Sequence, residues 1–159
     1  MDDRERDLVY AGGFFDGEGS IYFAKSRNRT GTTNIFLTVS LVNTDLPIME
    51  WFAALMGGKC ESGRETREGR KPIWRVRWQS AAARRVLQVL MPYLRVKHAQ
   101  AQEALAFEAA RRFAPGQHPR MSAEESARRM EFHRAWQARY GQPKGDSLPL
   151  VTVPVVDQV

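Results

Sequence analysis

The chain has 159 residues, 43% of them hydrophobic, which is enough for one ordinary domain with a core and too little for two full-sized ones. Its single cysteine, Cys60, excludes an intramolecular disulfide, and one Cys beside three scattered His excludes a Cys/His zinc cluster. Lys and Arg outnumber Asp and Glu by 24 to 18, a net charge of +6, which suits a polyanionic partner, nucleic acid first, although a modestly basic protein that binds nothing has the same balance.

The N-terminus "MDDRERDL" is charged in both signs, unlike a signal peptide, and no apolar run is long enough to span a bilayer. The expectation is a soluble, intracellular protein, in cytoplasm or organelle lumen, with no membrane partner. Residues 4–15 read as a helix with Leu8, Val9, Phe14 and Phe15 on overlapping faces. Gly12 and Gly13 each cost such a helix about 1 kcal/mol relative to Ala, which is tolerable where another backbone approaches closely at Ala11–Gly13. The period then changes to two. "SIYFAKSRN" and "TNIFLTVSLVN", rich in β-branched and aromatic residues and separated by "RTGT", read as a hairpin.

"NTDLPIMEWFAALMGG" is the next helix: Thr44 or Asp45 can cap it, Pro47 sits in its first turn, and Gly57 and Gly58 end it. A second hairpin pairs "KCESG" with "KPIWRVRWQS" around the basic turn "RETREGR". "AAARRVLQVLMPYL" is a helix stopped near Pro92, and "KHAQAQEALAFEAARRF" is another. "APGQHP" is a linker, and Ser122 followed by Glu125 opens a last helix with capping-box spacing. Residues 142–159, with three prolines and little charge, read as an irregular arm.

Helix, two strands, helix, two strands and then helices give an α+β fold: a four-stranded antiparallel sheet with its helices on one face. Ile35, Leu37, Val39 and Leu41, with Trp74, Val76 and Trp78, form the apolar face of the strands. The opposite face carries Asn34, Thr38, Ser40, Lys59, Arg75, Arg77 and Gln79. On a twisted ribbon such side chains reach base edges in the major groove of duplex DNA; a plain solvated face is the alternative. Tyr22, Ala24, Ser26 and Asn28 of the first strand, Glu61, and Arg64, Arg67 and Arg70 of the basic turn complete the candidate DNA-contacting set. Arg128, Arg129, Arg134 and Arg139 of the last helix touch phosphates or, as the preferred reading, solvate it.

"AGGFFDGEG", residues 11–19, resembles the nine-residue signature of the LAGLIDADG homing endonucleases, and the order of elements matches their αββαββα core and saddle-shaped sheet. "PYLRVKHAQA", residues 92–101, looks like the segment with which single-motif members present a basic active-site residue. The resemblance covers roughly residues 5–113 and implies a core domain 1–113, a helical extension 114–141 and the arm 142–159. It departs from the family at Ala11 and Gly12, where leucine and alanine are usual.

Carried over position by position, the resemblance makes Glu18 the catalytic, metal-binding acid and Lys97 the active-site lysine. It places Asp45 where relatives keep a polar residue near the attacking water, and Asp16 as a structural carboxylate at the helix end. A single motif implies a homodimer on double-stranded DNA, with Leu8, Ala11, Gly12, Gly13 and Phe15 at the helix-to-helix interface. The implied activity is Mg2+-dependent cleavage of a long pseudo-palindromic site to 3′ overhangs, in the service of intron homing, with Mn2+ or Ca2+ able to replace Mg2+ for binding and no small-molecule cofactor. Alternatives of the same fold are a DNA-binding regulator that does not cut and an RNA-binding intron maturase. Residue by residue, Glu18 alternatively reads as a solvated loop acid, Asp45 as a helix cap only and Lys97 as a surface lysine. A calcium loop does not fit "DGEGS", since an EF-hand needs Gly at Ile21 and Glu at Arg27.

Overall fold

The computed structural model describes residues 2–27, 33–63, 71–110 and 121–141. Helix α1, Asp3–Glu18, starts at Asp2, whose carboxylate accepts the N–H of Glu5 at 2.7 Å. It runs through three glycines and past Asp16, so Glu18 sits on the last helical turn and not in a loop. The chain leaves the helix at Gly19, where a Cβ would lie 2.3 Å from Cδ2 of Phe15. Only glycine permits that ring to close over the turn.

Strands β1, Gly19–Arg27, and β2, Thr33–Asn43, follow. Helix α2, Leu46–Met56, carries Pro47 in its first turn and ends at Gly57, whose φ of 68° is the left-handed cap conformation. The short strand β3, Cys60–Ser62, and β4, Trp74–Gln79, complete a sheet of order β1-β2-β4-β3. β2 and β4 pair antiparallel from Asn43↔Trp74 to Thr38↔Gln79, and β3 pairs antiparallel with β4. β4 passes without a loop into α3, Ser80–Leu90, through the φ of 49° at Ser80. A 3-10 turn, Met91–Tyr93, leads to α4, His98–Ala109, and the last described helix is α5, Ala123–Tyr140. The αββαββα order and the antiparallel sheet expected from the sequence are therefore present. The expected continuation of α4 to residue 113, the linker and the arm 142–159 lie outside the described residues.

The described residues form two compact units, those within Met1–Tyr22 and Leu37–Ala110, and those within Phe23–Phe36 together with 121–141. The first is built on Phe15, Phe52 and Trp78: Phe15 stacks on Phe52 with ring centroids 6.4 Å apart, and Trp78 meets Phe52 tilted at 5.9 Å. Leu37, Val39 and Leu41 of β2 and Val86, Leu87 and Leu90 of α3 are buried with them, each contributing about 1.5–3 kcal/mol. In the second unit Phe23 packs edge-on against Phe132 and Trp136 of α5, at 5.1 and 5.0 Å. The tips of β1 and β2 thus group with α5, because Phe23 and Ile35 find their partners there.

Candidate active site

The C-terminal end of α1 is held by a long-range contact. Asp16 Oδ2 accepts the backbone N–H groups of Arg95 and Val96 at 2.7 and 3.1 Å, and Oδ1 accepts that of Lys97 at 2.9 Å. Burial alone would raise this carboxyl, but the backbone donors of Arg95, Lys97 and Val96, with the Lys97 charge, hold it below its ordinary value. The Lys97 ammonium in turn donates to the backbone carbonyl of Asp16. Helix α1 therefore presents Glu18, exposed, at the same end to which Lys97 is tied. Asp16 is structural, but its work is to fasten residues 95–97 to α1 and not to finish the helix, which continues two residues beyond it.

Asp45 caps α2. Its Oδ1 accepts the Ile48 N–H at 3.0 Å, while its own N–H donates to Asn43 Oδ1 at 2.9 Å. Among the described residues no hydrogen bond or ion pair joins it to Glu18 or Lys97. Nor do these residues contain a group of three or more His, Cys, Asp or Glu that could hold a metal ion.

The strand residues separate by exposure. In the first unit Tyr22, Arg75, Arg77 and Gln79 are half-buried, and Lys59 and Glu61 are exposed, with Glu61 opposite Arg75 in the ladder. Thr38 and Ser40, expected to face outward, are 0% and 7% exposed. Their cross-strand partners are Gln79 and Arg77. Among the described residues Thr38 Oγ1 and Arg77 Nε, both buried, have no hydrogen-bond partner. In the second unit Ala24, Ser26 and Asn34 are half-buried. Asn28, Arg64, Arg67 and Arg70 lie outside the described residues.

The residues of the expected interface set differ in their surroundings within the chain. Ala11 and Phe15 are fully buried in the chain's own core, and Gly12 lies against the chain's own 91–93 turn: a Cβ there would be 2.5 Å from Tyr93 Cβ and 2.8 Å from its carbonyl oxygen. The small residue at position 12 serves that intrachain approach. Leu8 is half-buried, and Gly13 is exposed with open space around its Cβ position. Val9, 48% exposed, and Tyr10, 55% exposed, lie on the exposed surface of α1 together with Gly13 and Gly17.

Two features were not foreseen. Gln100, one turn after Lys97, donates from Nε2 to the carbonyl of Ile21 at 3.2 Å, tying the start of α4 to β1; its i+3 spacing from Lys97 was the available signal. Arg129, read as a solvated or phosphate-touching arginine, is 0% exposed. The apolar face of its helix would be expected to be apolar throughout, and nothing in the sequence marked it otherwise.

No protein-family model matches the sequence, and no curated protein matches it. Solved structures do. The archaeal intron-encoded homing endonuclease I-Vdi141I, complexed with DNA, superposes with a TM-score of 0.66 at 14% identity over 93% of this chain and 92% of that one. I-CvuI, in complex with DNA in the presence of Mg or Ca, gives 0.55 at 19% identity over 67% of this chain and 68% of its own. I-SmaMI, bound to uncleavable DNA, gives 0.60 at 16% identity over 88% of this chain but only 46% of its own. The chain has the LAGLIDADG homing-endonuclease fold, and it spans about half the length of I-SmaMI. No described helix is long and apolar enough to cross a membrane.

Proposed function

We propose that the chain is one protomer of a homodimeric, Mg2+-dependent, site-specific double-strand DNA endonuclease of the homing type, which cuts a long pseudo-palindromic site to leave 3′ overhangs. The observation that carries the reading is the end of α1, where an exposed Glu18 and the ammonium of Lys97 are delivered to one place by the Asp16 clamp. The DNA-bound homing endonucleases that share the fold support it.

Glu18 is the residue that would hold Mg2+. One carboxylate is an adequate donor set, because Mg2+ keeps several waters and is bound through one or two carboxylates together with phosphate oxygens. When bound, the ion supplies charge neutralisation at the phosphate and a more acidic water. Lys97 uses one of its three N–H donors on the Asp16 carbonyl, which leaves two for a phosphate oxygen as negative charge builds up. Asp45 caps α2 through Oδ1, and in this proposal Oδ2 orients the attacking water. The half-buried Arg75, Arg77 and Gln79 and the exposed Lys59 support a sheet face that meets DNA.

Half the length of I-SmaMI, with the fold once over, supports a second copy of the chain as the other half. The second copy would pack along Val9, Tyr10, Gly13 and Gly17. The test is cleavage of a duplex DNA library with Mg2+ by wild type and Glu18→Gln. The proposal expects double-strand breaks from wild type alone, with binding retained by both. Binding without cutting by wild type would replace the endonuclease by a regulator, and preferential binding of RNA would favour a maturase.

A further inference from the structure

We propose that α5 is a clamp on the strands that read DNA, and that Arg129 and His133 are positioning residues for base recognition away from the cleavage centre. The proposal rests on the endonuclease reading above.

The buried face of α5 is Glu125, Arg129, His133 and Trp136, at helical spacing, and three of these four are ionisable. A helix that only closed a core would bury apolar side chains there, and well-packed apolar residues commonly stabilise more than buried charges. What these groups hold is main chain. Arg129 directs Nε and one terminal nitrogen, at 3.0 and 2.8 Å, to the carbonyl of Ile35 in β2. His133 Nε2 lies 3.1 Å from the carbonyl of Phe23 in β1 and donates to it. The Glu125 carboxylate, 3.8 Å from Arg129, offsets the guanidinium charge and takes a two-pronged bond from Arg128 at 2.7 and 2.8 Å.

The strand positions gripped lie outside the β2/β4 pairing. The β2/β4 ladder runs only to Thr38↔Gln79, so Ile35 lies beyond its end, and β1 is an edge strand of the sheet. Ala24, Ser26 and Asn34 alternate with Phe23 and Ile35, so each points to the opposite face. A bond to a carbonyl fixes where the backbone lies without regard to the neighbouring side chain, so the clamp sets the depth and register at which these residues meet a groove. Ala24 and Ser26 lie six and eight residues beyond Glu18. At about 3.3 Å of rise per residue they read bases well outside the cleavage centre.

The experiment is selection of bound duplexes from a random library by the full chain, as wild type, Arg129→Met and Arg129→Lys, followed by sequencing. Arg129→Met keeps length and apolar bulk but leaves the Ile35 carbonyl unbonded. The expected result is discrimination at outer positions of each half-site reduced about tenfold, preference at the central positions unchanged, and partial recovery in Arg129→Lys. Should Arg129→Met fail to fold, His133→Leu, which releases the Phe23 carbonyl, is held to the same result. A folded variant whose preferences are unchanged, or whose affinity falls equally at every position, overturns the clamp. A wild type that enriches no sequence overturns the DNA reading instead.

Discussion

Asp16 and Lys97 are joined twice: Asp16 Oδ1 accepts the Lys97 backbone N–H at 2.9 Å, and the Lys97 ammonium donates to the Asp16 carbonyl. The carboxylate also holds Arg95 and Val96 through Oδ2, so one charged group satisfies three backbone donors. Asparagine keeps one acceptor oxygen and turns an N–H2 toward the remaining donors. Asp16→Asn is expected to lose about 1–3 kcal/mol in urea unfolding and, under the proposed endonuclease function, to slow cleavage while leaving DNA binding as before, since it loosens Lys97 without touching the strands. Unchanged stability and cleavage would show that residues 95–97 hold their place without the clamp.

The same carboxylate gives a pH signature that differs from that of His133. Asp16 titrates below its ordinary 3.8, so its stabilisation is complete above that value and is lost as pH falls through the lower, folded value. His133 is also depressed, below 6.5, by burial first and by Lys25 second, against the opposing bond to Phe23. Lys25 of β1 brings positive charge to it, and Arg129 and Glu125 are the charged groups on the same buried helix face. The unfolded chain therefore takes up this proton first, and stability falls as pH drops below 6.5 toward the folded value. Urea midpoints followed from neutral to acid pH should show the His133 loss first and the Asp16 loss later. His133→Gln should flatten the first and Asp16→Asn the second.

Gly12 and Gly13 are neighbours with opposite surroundings. A Cβ at Gly12 meets the backbone and Cβ of Tyr93 at 2.5–3.0 Å, whereas one at Gly13 meets nothing within 4 Å. Gly12→Ala is expected to cost about 1–3 kcal/mol through strain against the 91–93 turn. Gly13→Ala should stabilise the dilute protomer by up to about 1 kcal/mol, the helix-propensity difference. With the second copy packed on the exposed side of α1, Gly13→Ala should also weaken self-association in sedimentation experiments, an effect Gly12→Ala has only through unfolding. Equal behaviour of the two variants in both measurements would reject this assignment of the two sides of α1.

The parts legible in the sequence were those with a local cause. Period-two runs placed the strands, Pro47 and Gly57 bracketed α2, and Ser122 marked the start of α5, where its side chain accepts the Glu125 N–H. Glu18 and Lys97 were singled out through the motif alone, and their roles stay part of the proposal. The partners of Asp16 and Gly12 were not, because they lie some 80 residues away, at 93 and 95–97, and no local pattern carries such a contact. Of the small residues at 11–13, Gly12 does meet a close backbone and Gly13 does not, and spacing cannot say which position is approached or whether the approaching backbone is the chain's own. Arg129 and His133 were hidden for a different reason. Arginine is so seldom fully buried that a helix bearing four of them reads as solvated, and its role appears only once the carbonyls of Ile35 and Phe23 are seen beneath it.

Asp45 allows capping and catalysis to be separated with two substitutions. Its Oδ1 accepts the Ile48 N–H at 3.0 Å, and asparagine caps a helix about as well as aspartate, while alanine costs about 1 kcal/mol. Asp45→Asn should therefore unfold at nearly the wild-type urea concentration, and Asp45→Ala at a lower one. In the proposed mechanism the other oxygen orients the attacking water, a task that an amide with a donor in its place performs badly. Cleavage by Asp45→Asn should then fall by about tenfold to a hundredfold, the size of effect that misplacing a reactant produces, while DNA binding holds. Should Asp45→Asn cut as fast as wild type and only Asp45→Ala slow down in step with its stability, Asp45 is a helix cap and nothing more, and the water must be oriented from elsewhere at the end of α1.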